Sequence, residues 1–170
     1  GFIQQKVVCT GYPVAGRMAA VKNAGFEVCT GEYVAYAESG DNYYPNHLAV
    51  LASNLAKSPE SVAVYGALDV QTKDGKRVSG YSFDIDRLMT FCTIPPKAFA
   101  HRRAAVVGNK VFDETLDEFS HWDFLIRLAL RGSFVFVPSI ICECDVSALS
   151  MDGADPQVRE ECRLIYQRYH

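Results

Sequence analysis

Two acidic side chains, Glu38 and Asp41, close a short apolar run in the stretch Gly31 to Leu48. Tyr33 to Ala37 reads as a β-strand, the cluster Glu38-Ser39-Gly40-Asp41 as a turn, and Pro45 as the first residue of a new helix. Carboxylates at the carboxyl end of a buried strand, ahead of a helix, stand where open α/β sheets place ligand chemistry. Such groups suit a hard divalent cation, Mg²⁺ or Mn²⁺, and through it a diphosphate. The plainer reading of the same residues is a polar turn whose side chains satisfy free backbone amides. A second cluster lies far downstream. Ser120 and Asp123 fit a capping box at a helix start, and His121 falls in the first turn, with its imidazole expected to point out of the helix end. Histidine titrates near neutrality and can take a proton from a hydroxyl, although a lone histidine is commonly structural. Arg17, Lys22 and Asn23, on the element before the acidic strand, could meet phosphate or simply face solvent. The same two readings hold for His101-Arg102-Arg103.

The elements that must position these groups alternate. Lys6 to Thr10 reads as a strand and Val14 to Ala24 as a helix stopped at Gly25 and Phe26. The Tyr33–Ala37 strand follows, and then a helix from Pro45 to Lys57. In that helix Leu48, Leu51, Ala52 and Leu55 share a face. Ser61 to Thr72 and Arg77 to Phe83 read as a hairpin around Asp74-Gly75. Asp84 to Ala98, with Pro95-Pro96, is expected to be irregular or lightly helical, and Ala104 to Val107 a short strand. A helix is expected from Ser120 to Arg131, strands at Phe134–Val137 and Ile140–Cys144, and a last helix from Asp155 to Tyr169. The stripe of that last helix is Val158, Cys162, Ile165 and Tyr169. Single strands alternating with helices, followed by β-rich sequence, predict an α/β fold with a mixed β-sheet flanked by helices.

Composition narrows the partners. The 170 residues are 49% hydrophobic, enough for one core and too few for two comfortable domains. Net charge is −3 with no basic stripe, which argues against a nucleic-acid partner. No apolar run approaches a membrane span, and no signal peptide is legible. Cys9, Cys29, Cys92, Cys142, Cys144 and Cys162 lack zinc-ligand spacing. They read as small buried hydrophobes of a reducing cytoplasm.

Three segments together resemble the family 2 glycosyltransferases, inverting enzymes of the GT-A fold that use nucleotide-activated sugars. They are VKNAGFEVCTGEYVAYAESGDNYYPNHL (21–48), VFDETLDEFSHWDFLIRLALRGSFVFVP (111–138) and RLIYQRYH (163–170). The resemblance implies a single domain over 1–170 that corresponds to the central and C-terminal part of such a domain. The opening strand, helix and strand that cradle the nucleotide base are then missing, which exposes a sheet edge through which two copies could pair. It implies sugar transfer from a nucleotide-diphosphate donor, a UDP-sugar, to a glycan or lipid-linked acceptor, with inversion. The setting would be polysaccharide, lipopolysaccharide or other glycan synthesis in the cytoplasm or at the inner face of a membrane.

Carried over by position, Lys22 and Asn23 match the pair near the donor nucleotide, and Glu38 the first acidic position of the metal motif. Gly40 stands at the second acidic position with Asp41 just after it. The divalent metal, Mn or Mg, would therefore rest on Glu38 and Asp41. His121 matches the catalytic aspartate, with Ser120 in place of its neighbouring glutamate and Asp123 two residues on. The mechanism implied is one in-line displacement with His121 as base. The departures at Gly40 and Ser120 leave a second reading open, a catalytically silent binding or scaffold module of a larger glycosyltransferase. A metal-dependent phosphohydrolase has only the acidic turn in its favour.

Overall fold

The computed structural model describes residues 18–108, 111–116, 118–145 and 156–170. In chain order these form α1 (Met18–Val28), β1 (Tyr33–Ala35), β2 (Asn42–Tyr43), α2 (His47–Lys57), β3 (Ala63–Thr72), β4 (Gly75–Ser79) and α3 (Ile85–Thr90). They continue as β5 (Phe99–Arg102), α4 (Ser120–Ala129), β6 (Phe134–Asp145) and α5 (Pro156–Tyr169). Six strands make one sheet in the order β1-β5-β3-β6-β2, with β4 paired to β3. The β3–β6 pair is parallel and the others are antiparallel, so the sheet is mixed, as expected from the sequence.

Strand β3 carries alternate side chains to two apolar layers, because successive residues of a strand point to opposite faces. Ala63 and Tyr65 join Phe99, Phe112, Phe124 and Trp122 on one face. Val64 and Leu68 join Leu51 and Leu55 of α2 and Ile141 and Cys142 of β6 on the other. Both faces are therefore buried, and helices α4 and α2 cover them from opposite sides.

Several boundaries differ from the sequence reading, each for a physical reason. Helix α1 continues through Gly25 to Val28, with Phe26 buried as its anchor. Lys6–Thr10 and the start of the Val14–Ala24 helix lie outside the described residues. The hairpin turn is tighter than expected: Thr72 pairs with Gly75, leaving Lys73-Asp74 as the loop, and Gly75 takes φ +117°. Ala104–Val107 is not a strand. The strand is Phe99–Arg102, and a 3₁₀ turn occupies Arg103–Ala105. Phe134–Val137 and Ile140–Cys144 are one strand, β6, whose register on β3 shifts around Pro138 and Ser139. Proline has no amide to donate, so the ladder bulges there instead of ending.

The basic triplet is not a surface patch. His101 is fully buried. Arg102 donates to the carbonyls of Leu55, Ser58 and Ser61 at the end of α2, where a cation meets the negative end of the helix dipole. Arg103 lies over the Phe26 ring. The five described cysteines are unpaired.

Candidate active site

The turn after β1 is built by Gly40, whose φ of +89° lies where L side chains are strained. That geometry folds the chain back so that Asp41 Oδ2 accepts the Glu38 amide at 2.9 Å, while the Asp41 amide donates to the Glu38 carbonyl at 3.2 Å. Asp41 Oδ2 also accepts from the Tyr43 hydroxyl at 2.7 Å. Its other oxygen, Oδ1, lies 2.7 Å from Lys97 Nζ. Burial by itself would raise the Asp41 carboxyl, but the bonds from Lys97, Tyr43 and the Glu38 amide outweigh it and hold the carboxyl below its ordinary value. Glu38 Oε1 sits 2.5 Å from Lys22 Nζ.

Lys22 projects from α1 along the Phe112 ring. Beside it, Asn23 is buried and ties the helix to the 111–116 loop through three hydrogen bonds. Its Nδ2 donates to the Phe112 carbonyl and to Glu114 Oε1, each at 2.9 Å, and its Oδ1 accepts the Phe112 amide at 2.8 Å. Asn23 therefore positions a loop, and Lys22 is left to carry the charge. Arg17 lies outside the described residues.

His121 does not point out of the helix end. It is 6% exposed, and its Nε2 donates to the Ile94 carbonyl at 2.8 Å. Nδ1 is buried with no hydrogen-bond partner, so the imidazole is the Nε2–H tautomer with a free lone pair on Nδ1. Burial, with the positive charge of Lys22 second, pushes its pKa down to about 3.

Asp123 is fully buried and filled. Arg127 Nε donates to Oδ2 at 2.8 Å, while Arg168 Nη1 and the Tyr169 hydroxyl donate to Oδ1 at 2.6 and 2.7 Å. Nor do Ser120 and Asp123 form a capping box: the N-cap is Phe119, with no side-chain cap bond. Glu161 of α5 does that work across space, accepting the amides of Glu118 and Phe119 at 3.0 and 3.1 Å. A carboxylate at this helix start is favourable whatever element supplies it.

Lys22 thus joins Glu38 directly and reaches His121 electrostatically, and Glu38 and Asp41 share one turn. Asp123 instead belongs to the contact between α4 and α5. Sequence reasoning missed Lys97 and Glu161. The first follows the Pro95-Pro96 pair at the entry to β5, a segment with no periodicity to flag it. The turn fits a divalent cation poorly as it stands, because both Asp41 oxygens and Glu38 Oε1 are already met by ammonium, hydroxyl or amide donors, which leaves Glu38 Oε2 as its one carboxylate oxygen without a partner among the described residues. Among the described residues no group of three or more His, Cys, Asp or Glu is placed to hold a metal ion.

A mixed sheet with an acidic turn at the end of β1, covered by helices on both faces, matches the GT-A class of fold expected from the sequence. The solved structures agree. The chain is similar to S. aureus TarS residues 1–349, with TM-score 0.64 at 16% identity over 88% of this chain and 44% of that one. Its likeness to the same protein in complex with UDP has TM-score 0.66 at 17% identity over the same shares. For the complex with UDP-GlcNAc the values are 0.65 and 14%, over 88% of this chain and 45% of that one. No family model matches the sequence. Among curated proteins, it is 24% identical over 149 residues to the uncharacterized glycosyltransferase YwdF of Bacillus subtilis strain 168, covering 84% of this chain. The chain spans about half (54%) the length of that relative. It is therefore related at low identity to a protein named as a glycosyltransferase, and it shares the fold of the TarS structures. No described helix is long and apolar enough to cross a membrane.

Proposed function

We propose that this chain carries part of the active site of an inverting sugar transferase. The donor is a nucleotide-diphosphate sugar and the acceptor a hydroxyl of a glycan or lipid-linked chain. The observation that carries the reading is the pairing of the β1 turn with Lys22, whose charge also bears on His121, in a fold shared with a protein crystallised with UDP and UDP-GlcNAc. A UDP-sugar is accordingly the donor we infer. The reaction is one displacement: the acceptor oxygen loses its proton and attacks the anomeric carbon. The bond to the diphosphate breaks, and its electron pair leaves with the nucleoside diphosphate. Lys22, oriented by Glu38, supplies positive charge where negative charge grows on the leaving phosphate. His121 Nδ1, the uncommitted lone pair, takes the proton. Its basicity is held down in part by Lys22, and an anionic donor that neutralises Lys22 relieves that part. Asp123 acts as a positioning residue that fixes α4, and with it His121.

One observation favours the second reading, a catalytically silent module: His121 is sealed from solvent and donates its Nε2 proton to the Ile94 carbonyl. The two readings separate on UDP release from UDP-GlcNAc by the protein and its His121→Ala and Asp41→Ala variants. A working base predicts a loss of about a hundredfold or more in His121→Ala. No release by the unaltered protein favours the silent module, and equal release by all three removes His121 and Asp41 from the reaction.

A further inference from the structure

A divalent cation bridging protein to diphosphate needs carboxylate oxygens with free lone pairs and room for six ligands at close to 2 Å. At the β1 turn most of these lone pairs are already taken. Lys97 Nζ occupies Asp41 Oδ1 at 2.7 Å, and Tyr43 and the Glu38 amide fill Oδ2. Lys22 Nζ holds Glu38 Oε1 at 2.5 Å. The residue between them, Gly40, carries no ligand, and its positive φ serves the turn that delivers Asp41 to Lys97. Two ammonium groups therefore stand beside two carboxylates, each within 3 Å of one. Both lysine side chains are mostly covered, at 11% and 18% exposure. They come from elements far apart in the chain, α1 and the turn before β5, so the arrangement is a product of the fold and not of local sequence. An ammonium has three N–H donors. Only one carboxylate oxygen is bonded to each here, so further donors remain for phosphate oxygens.

The geometry points to lysine in place of metal: Lys22 and Lys97 occupy the position of a divalent cation at the Glu38–Asp41 turn and hold a diphosphate there without one. This rests on the donor reading above for its ligand, but the exclusion of the cation stands on the ion pairs alone. Lys97 gains a role in recognising phosphate, and Asp41 becomes the group that holds Lys97 in place.

Two measurements on the protein test it separately. The first is Mn²⁺ binding without nucleotide, followed by electron paramagnetic resonance. No uptake up to about 1 mM is expected, and tighter binding by the unaltered protein overturns the proposal. The second is UDP binding by calorimetry in EDTA and in Mn²⁺. Equal affinity in the two is expected, with a loss of about tenfold in Lys97→Ala and near-recovery in Lys97→Arg, which keeps the charge and the donors. UDP that binds only with Mn²⁺, or a Lys97→Ala variant with unchanged affinity, overturns it. UDP that binds under neither condition defeats the donor reading and the diphosphate half with it, while the Mn²⁺ titration still decides whether the lysines exclude a cation.

Discussion

Two clusters of charge in this molecule differ in what surrounds them. At the α4–α5 contact, Asp123 is fully buried, and three donors from two helices saturate both its oxygens. At the β1 turn, Glu38 is 38% exposed and its partner Lys22 reaches it from one side only. A buried carboxylate held by three donors is committed to the framework, and its removal takes a carboxylate partner from two guanidinium groups, of which Arg168 keeps Asp113 and Arg127 the Val111 carbonyl. A part-exposed lysine held by one carboxylate oxygen keeps N–H donors free for an added ligand. Burial thus sorts residues of the same type into framework and site.

The contrast is sharpest in stability. Asp123→Ala is expected to cost about 2–3 kcal/mol, from hydrogen bonds lost to a buried carboxylate by Arg127, Arg168 and Tyr169. Glu161→Gln, which weakens the cap on α4, should cost about 1 kcal/mol. Glu38→Gln at the turn should change stability by less than about 1 kcal/mol. Urea midpoints of the three variants rank them directly. An Asp123→Ala variant as stable as Glu38→Gln would break the comparison.

Acid should act on the framework before it acts on the turn. Burial pushes His101 down to about 4 and His121 to about 3, both below the ordinary 6.5. His101 has its Nδ1–H on the Arg102 carbonyl and its Nε2 against the Tyr36 hydroxyl, a neutral arrangement. The unfolded chain therefore binds more protons than the folded one below about 6.5. Stability is full above that pH and falls as pH drops from 6.5 toward 4. Between pH 7 and 5 each histidine should contribute a loss of about 2 kcal/mol. Asp41, also lowered, adds its loss only below the ordinary carboxylate range. Buried His47, also lowered chiefly by burial, adds to the same slope; denaturation at pH 7 and pH 5 reads the sum, and His121→Gln should remove the His121 share of it, about 2 kcal/mol. A slope unchanged in that variant would mean that His121 is not buried neutral.

Much of the fold is legible in the sequence because its signals are local. The β-rich run Ala63–Thr72, the Asp74-Gly75 turn and the Leu51/Leu55 face of α2 each follow from neighbouring residues. Burial on both faces of the sheet follows from the strands' apolar character. The site is legible only in part. Glu38, Asp41, Lys22 and His121 stand out by residue type, but their partners do not. Lys97 meets Asp41, Glu161 meets the start of α4, and Ile94 meets His121 only through tertiary contacts, which no local pattern announces. Ser120 and Asp123 show the hazard in reverse. Their spacing fits a capping box, yet a carboxylate from α5 takes the cap, and two donors from α5, with Arg127, take Asp123. Tertiary packing overrode a local preference worth about 1 kcal/mol.

The most direct test of the account is where UDP touches the protein. Backbone amide chemical-shift mapping with UDP in EDTA should move residues 22–23, 38–41 and 97 together, and leave the 161–169 face of α5 in place. Shifts confined to other surfaces, such as the cleft lined by Tyr81, Asp84 and Arg87, would contradict it.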